Sequence, residues 1–549
     1  MMSQINQRIL PLALGFLAFG FFSLMLAGYY HDDAYIILRY AQNFLDGHGF
    51  VWNPGERVEG CSTFLWLLLI TGAGYCGLDL VTASQVLGIL LALATLFAAF
   101  VLRGNRYPLG ILLLGTNSCF ALWAQGGLET IAFGFFIFFA CTIFHKHRQT
   151  KSSLIGTGLI FALATMTRPE GALFFGLTLL FCLLDNKQLS IRNSKRAALL
   201  LGAFCLLYAP YFLWRLLYYG HLFPCTFYVK GGTNLFKLLF GTRYVFHFLL
   251  GYGFPLIIIL FIKDKSAFLR SRLYLVALPA IFCCYVISVG GDHMQGFRFL
   301  TPLLPVYYLL IQEAFHAAFQ NKKSSYRLAV PALLITVNFL ISYSSIPKGP
   351  AANQEALRHS YKYRNCFATP DPAAYIGKHV GTHIKQNWPR DCTIAVNTAG
   401  SIPYYSGFKA IDMLGLNDYT IAKTVVTYNY EFLPQSFQEI MSLSSAGQRK
   451  AFIKKIMRTY LPWELIPGHG KGDGDYVLAR KPDYIILGPA QGDDKAWFPG
   501  DRELIQSNEF QQKYQLKKTA ISVKDAFHPF YSETKTGTLL FSYYKRVAP

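Results

Sequence analysis

Eleven apolar runs divide the first 344 residues, at roughly 10–28, 82–102, 108–124, 127–144, 153–167, 171–184, 197–217, 242–262, 273–289, 299–317 and 328–344. A helix needs about 20 residues to cross the hydrocarbon core, and several of these runs fall short of that. The placing of charge decides how they are read. Every second gap holds Lys and Arg: Arg103 and Arg106; Lys146, Arg148 and Lys151; Lys187, Arg192, Lys195 and Arg196; Lys263, Lys265, Arg270 and Arg272; Lys322, Lys323 and Arg327. Asp185 and Asp264 stand only at the edges of these gaps. A cationic set of loops kept on the cytoplasmic side is the sidedness signal of a polytopic α-helical membrane protein, here with about 11 transmembrane helices. The net charge of +21 then belongs to topology. No nucleic-acid signature accompanies it, so no nucleic-acid partner is expected. A hydrophobic content of 53%, 16% aromatic residues and a mean hydropathy of +0.30 point the same way.

A further apolar stretch, about 62–78, is broken by Gly72, Gly74 and Gly77 and reads as re-entrant or interface-lying. Counting it as a span would put the later loops on the wrong side. Arg8 followed by the run from Leu10 has signal-peptide character, but a retained anchor is expected because the first polar motif follows it directly. The transmembrane unit therefore covers 1–344, with a first outer loop of about 29–80. An odd number of spans then delivers residues 345–549 to the outer face, enough for one α/β domain. Thr393–Val396 and Tyr484–Leu487 read as buried strands, and Pro434 to Tyr460 as helical. The eleven cysteines have no metal-like spacing, and Cys366 and Cys392, both in the polar C-terminal region, could pair if that region lies in an oxidising compartment.

The polar motifs all fall in the other set of gaps. They are Asp32-Asp33, Gln125–Thr130, Thr167–Gly171, Tyr219–Gly232 and Gly290–Arg298. An isolated carboxylate inside a bilayer costs a few kcal/mol or more, so the adjacent Asp32 and Asp33 must meet water, a cation or a polar substrate. A solvated helix cap is the plainer alternative for one of them. Arg168 and Glu170 could simply pair across a tight turn, Glu129 could cap a helix beginning at Thr130, and Asp292 could pair with Arg298. Lys230 could snorkel to the interface. The functional reading makes Asp32 and Asp33 the catalytic carboxylates. It gives a phosphate to Lys230, Arg298, His221 and Arg168, and a sugar or supporting role to Glu129, Glu170, Asp292, His293, Glu56 and Glu59. Gly468–Asp475 lacks the strand and spacing of a nucleotide loop. A glycine-rich loop bringing His469, Lys471 and Asp473 to the membrane face is the alternative.

Taken in order, Asp32–Tyr40, Asp46–Gly49, Asn53–Gly60, Gly127–Thr130, Thr167–Gly171, Thr226–Lys230 and Gly291-Asp292 with Arg298-Phe299 resemble the AftB-like (terminal arabinofuranosyltransferase-like) membrane glycosyltransferases of the GT-C superfamily. Pro403–Gly407, Ile411–Asp418 and Gly468–Val477 extend the resemblance into the tail. It implies a GT-C-like fold and an inverting glycosyltransferase that takes a sugar from a polyprenyl-phosphate donor. The acceptor would be a cell-envelope glycan or glycolipid outside the bacterial cytoplasmic membrane. The family's paired aspartates fall on Asp32 and Asp33, with Asp32 the expected base. Gly60-Cys61-Ser62-Thr63 departs from the expected Gly-Tyr-Ser-Asn, so a pentofuranose such as arabinofuranose is one candidate sugar among several. No cofactor and no metal site is required, although a divalent cation beside the carboxylates is compatible with the chemistry. A transporter or flippase of lipid-linked sugars would explain the same loops, but midplane sites and repeated halves are its usual marks, and neither is seen. A non-catalytic glycan-assembly protein is the third reading.

Overall fold

The computed structural model describes residues 2–102, 107–184, 190–231, 235–346, 371–425, 467–522 and 538–547, with four isolated positions between 445 and 450. Arg103, Arg106, Asp185, Lys187, Cys366 and nearly all of the 434–460 segment lie outside the described residues.

Among the described residues sixteen α-helices build the first unit. They begin with α1 (Met2–Met25), α2 (Asp32–Leu45), α3 (Phe64–Tyr75), α4 (Leu80–Leu102), α5 (Leu109–Gly115), α6 (Ser118–Gln125), α7 (Thr130–His147) and α8 (Lys151–Thr167). There follow α9 (Gly171–Leu183), α10 (Ile191–Tyr219), α11 (Cys225–Lys230), α12 (Leu235–Tyr252), α13 (Lys265–Ser271), α14 (Leu273–Val289), α15 (Leu304–Phe319) and α16 (Ser324–Ser344). Among the described residues, α4, α7, α10 and α16 are long and apolar enough to cross a membrane. The number rises to six if two bent pairs each count as one span: α12 with the 3-10 helix Phe254–Phe261, bent by 68°, and α13 with α14, bent by 79°. The apolar run at 108–124 is not one helix. It breaks at Thr116-Asn117, where the Asn117 side chain caps α6 by accepting from the Phe120 amide at 3.2 Å. The 12-residue α3 is too short to span.

Burial divides these helices by position. Every residue of α6 and nearly every residue of α15 is buried, so these two form the centre of the helical body. Leu206 and Leu217 on α10 and Leu333 on α16 are instead exposed by 60% or more. Large apolar side chains facing outward on the long helices need lipid as their solvent. Helix direction then collects the polar motifs. α7 starts beside Glu129 and runs away to Arg148; α8 returns to Arg168; α14 runs from Arg272 to Gly290; α15 runs from the Arg298 loop towards Lys322. The cationic loops and the acidic motifs thus occupy opposite ends of the same helices.

The second unit is a mixed sheet of order β2-β1-β3-β5-β4, with β1 (Thr393–Val396), β2 (Lys409–Asp412), β3 (Tyr484–Ile486), β4 (Tyr514–Ser522) and β5 (Thr538–Arg546). β1 is parallel to both of its neighbours, while β5 is antiparallel to β3 and β4. β3 is buried throughout and β1 nearly so, as a parallel core covered on both faces requires. The amphipathic helix Pro372–Asn387, capped by Asp371, covers it.

Candidate active site

The sheet unit docks on the end of the helical body that carries the motifs, and α2 is the main contact. His31 is the N-cap of α2, accepting the Asp33 amide at 3.2 Å, so neither aspartate is spent on capping. Asp32 is buried, and its Oδ1 accepts from the Ser401 amide at 2.9 Å and also from the Ser401 hydroxyl. Gly400 makes this approach feasible, since a Cβ there would lie 2.1 Å from the Asp32 carbonyl oxygen. Burial, reinforced by Asp33 and Asp371, pushes the Asp32 carboxyl up to about 6 against the Ser401 bonds. Asp33, half-buried on the next residue, points elsewhere and lines two cavities.

The larger cavity, about 650 Å³, lies mainly within the helical body, with Leu416 and Pro467 of the sheet unit at its edge. Its walls are mostly apolar, from Ile36, Leu128, Leu173, Phe227, Val289 and Phe299, with Arg168, Arg298 and Lys230 among them. Glu129 holds the two arginines. Its Oε1 is 3.1 Å from Arg298 Nη2 and 3.8 Å from Arg168 Nε. Although Glu129 occupies the N-cap position of α7, its side chain makes no capping bond. Arg168 also pairs with Glu170 at 3.2 Å, and Arg298 lies 3.9 Å from Asp292. Burial would raise the Glu170 and Asp292 carboxyls, but Arg168 holds the first below its usual range, and His293 and Arg298 hold the second well below. Arg168 Nη1 and Arg298 Nε are buried without a hydrogen-bond partner among the described residues. Lys230 has no carboxylate within 4 Å among them either, and its ammonium sits 5.8 Å over the Phe299 ring. The segment carrying Asp292 and Arg298 is tightly wound. Gly290, Gly291 and Gly296 have positive φ, and the buried Phe297 takes φ 46°, a costly conformation for a bulky residue.

The second cavity, about 290 Å³, lies between the helical body and the sheet. His31, His293, His469 and Asp371 line it, and Asp33 and Lys230 stand at its junction with the first. His293 is 3.4 Å from Asp292, and its ring lies 4.7 Å from that of His469. Burial pushes His469 down to about 4. Among the described residues no group of three or more His, Cys, Asp or Glu could hold a metal ion.

Five expected site residues line neither cavity. The His221 ring packs at a tilt against that of Tyr419, centroids 3.7 Å apart. Glu59 pairs with Arg215 at 2.6 Å. Glu56 pairs with Lys409 and Arg480 at 2.9 and 2.8 Å, tying the first outer loop to the sheet unit. Lys471 donates to the Thr424 carbonyl, and Asp473 caps the helix Gly474–Ala479. The contacts of these five residues are with other parts of the protein. Sequence reasoning also missed the clamp around Arg39. Its guanidinium donates to the carbonyls of Trp52, Pro403 and Phe408 and to Asn53 Oδ1. The signal was present, since an arginine in an otherwise apolar helical stretch needs partners.

Fold and site together define a polytopic helical protein with an acid-and-cation cavity roofed by a small α/β unit. Residues 369–536 match the model of a domain of unknown function, DUF8728. The chain resembles the terminal β-(1→2)-arabinofuranosyltransferases of Mycobacterium tuberculosis, 28% identical over 322 residues (50% of each chain), and of Corynebacterium glutamicum, 30% identical over 337 residues (50% of this chain and 46% of the relative). It thus spans about half the length of these curated relatives. Among solved structures, ArnT from Cupriavidus metallidurans aligns in its apo state (TM-score 0.48, 12% identity) and bound to undecaprenyl phosphate (TM-score 0.46, 11% identity). Each of these alignments covers 75% of this chain and 86% of ArnT.

Proposed function

We propose that this chain is an inverting GT-C glycosyltransferase that moves a sugar from a polyprenyl-phosphate donor to a cell-envelope glycan or glycolipid. The proposal places about eleven spans in the bacterial cytoplasmic membrane, with the cavities and sheet unit on the outer face. The observation that carries it is the junction of the two cavities, which Asp33 and Lys230 both line. The larger cavity suits the lipid phosphate: apolar walls take the first isoprene units, and Lys230 with the spare donors of Arg168 and Arg298 takes the phosphate oxygens. The smaller cavity takes the acceptor.

In the reaction the acceptor hydroxyl oxygen attacks the anomeric carbon from the face opposite the phosphate. The carbon–oxygen bond to phosphate breaks, its electron pair leaves with the polyprenyl phosphate, and the hydroxyl proton passes to a carboxylate. We assign that base to Asp33 instead of Asp32, because Asp32 is already engaged by Ser401 and Asp33 faces both cavities. Asp32 then fixes the direction of α2. The names of the curated relatives favour arabinofuranose as the sugar.

The test is transfer by the purified full chain, in detergent or nanodiscs, from synthetic polyprenyl-phosphate arabinofuranose to an arabinofuranosyl oligosaccharide. The expected result is product with inverted anomeric configuration and a fall of at least about a hundredfold in Asp33→Asn, within the 10²–10⁴ range of a general base. Full activity in Asp33→Asn would remove it from that role, and absence of product from every polyprenyl-phosphate sugar offered would sink the reading.

A further inference from the structure

The sheet unit contains a crevice of its own. β1 lies in the middle of the parallel part of the sheet, and the chain leaves it to β2 on one side and is joined by β3 on the other. The space beyond the carboxyl ends of β1 and β3 is therefore a topological switch point, the place where open α/β sheets bind ligands. The smaller cavity opens there. Asn397–Ala399, directly after β1, and Gly488–Gln491, shortly after β3, form its far wall, and Trp497 and Phe498 close its side.

One buried carboxylate shapes this wall. Asp501 is fully buried, and its Oδ1 accepts from Asn397 Nδ2 at 2.8 Å. Its Oδ2 accepts from the amides of Gly488 and Trp497 at 3.0 Å each and of Phe498 at 3.2 Å. The post-β1 loop, the post-β3 loop and the aromatic pair are thus fixed to one another before anything binds. The Trp497 indole N–H is held by Asp493 Oδ2 at 2.8 Å, and its ring packs where a Cβ on Gly488 would be only 2.9 Å away. Even so, 38% of Trp497 remains exposed. Gln491 Oε1 is buried in the same wall without a hydrogen-bond partner among the described residues. A fixed indole face beside an unused amide acceptor suits a ligand with an apolar C–H face and outward hydroxyls. The acids Asp32, Asp33 and Asp371 in the lining oppose an anion such as a nucleotide.

We propose that this crevice is a subsite for a neutral glycan, with one sugar ring stacked on Trp497 and a hydroxyl donating to Gln491 Oε1. The assignment rests on the transferase reading in that the bound glycan is the acceptor presented to Asp33. At about 290 Å³ the crevice is at the small end of small-molecule sites, room for a terminal sugar and part of the next. Asp501 is a positioning residue.

The test measures binding with no donor present, so it does not depend on turnover. The purified full chain is titrated with an arabinofuranosyl trisaccharide and, separately, with a hexopyranosyl trisaccharide, followed by saturation-transfer NMR and calorimetry. One of the two is expected to bind, about tenfold or more weaker in Trp497→Ala, with partial recovery in Trp497→Phe and a smaller loss in Gln491→Ala. Where transfer is measured, the acceptor KM should rise in Trp497→Ala while the donor KM stays unchanged. Binding by neither glycan, or binding equal to wild type in Trp497→Ala with the fold intact by thermal melting, overturns the subsite. A glycan that binds at Trp497 to a protein that transfers nothing supports the subsite and removes the transferase reading alone.

Discussion

At the residue scale, the carboxylate with the most consequences is Glu129. It is fully buried and shares one oxygen between two buried arginines. Removing one partner of a buried ion pair leaves an uncompensated charge and costs about 3–5 kcal/mol. Glu129→Ala is therefore expected to destabilise the chain by that order, read as chemical unfolding in detergent, and Glu129→Gln by less. A loss below about 1 kcal/mol would mean that the arginines find other partners. Lys230 differs because no carboxylate among the described residues lies within 4 Å of it, although its charge still reaches Glu170 and Asp292. Lys230→Ala should leave the melting temperature nearly unchanged while raising the donor KM about tenfold or more, since a charge-assisted hydrogen bond is worth about 1.5–3 kcal/mol. An unchanged donor KM would separate this ammonium from the phosphate. The charged motifs were legible as sequence, but their division of labour was not. Asp32 and Asp33 look equivalent in the chain, and only the presence of Ser401 beside one of them separates their tasks.

At the element scale, α2 transmits the position of the sheet unit to the cavities. Gly400 lies against its first turn, Arg39 binds the Pro403 and Phe408 carbonyls across the gap, and Asn53 accepts from the Ala410 amide at 3.1 Å. The turn after β2 is organised the same way. Asp412 accepts from the amides of Leu414, Gly415 and Asn417, and Asn417 then packs where a Cβ on Gly60 would be 2.0 Å away. Gly400→Ala should therefore push α2 and the sheet apart. The expected outcome is faster proteolysis at the junction and a fall in turnover, although residue 400 lines neither cavity. Turnover and proteolysis both at wild-type levels would show that this close approach does not hold the site.

At the scale of the whole molecule, the junction between the units is acid-sensitive in a defined direction. Burial pushes the carboxyls of both Asp32 and Asp412 up to about 6, above the unfolded value of 3.8. Between those values the folded chain binds more protons than the unfolded one, so stability falls as pH rises from about 4 to about 6. Glu56, Glu170 and Asp292, with depressed values, act the other way mostly below about pH 4.5. His469, pushed down to about 4, opposes the fall within the window, but Asp371, Asp418 and Asp501, also raised by burial, add to Asp32 and Asp412 and outweigh it. Melting in detergent should therefore drop by a few degrees between pH 4.5 and 6.5, and the slope should be shallower in Asp32→Asn; a melting temperature rising across that window would contradict it. By itself the sequence determined the class of fold and the raw materials of the site. Apolar length and loop charge are local, additive properties, and the strands Thr393–Val396 and Tyr484–Ile486 announce themselves as short β-branched runs. Tertiary structure decided which charges neutralise one another, which carboxylate remains free, and that a single carboxylate, Asp501, ties together three loops around a crevice. Those outcomes depend on contacts between residues as far apart as 32 and 401, and no local pattern in a chain encodes a distance of that kind.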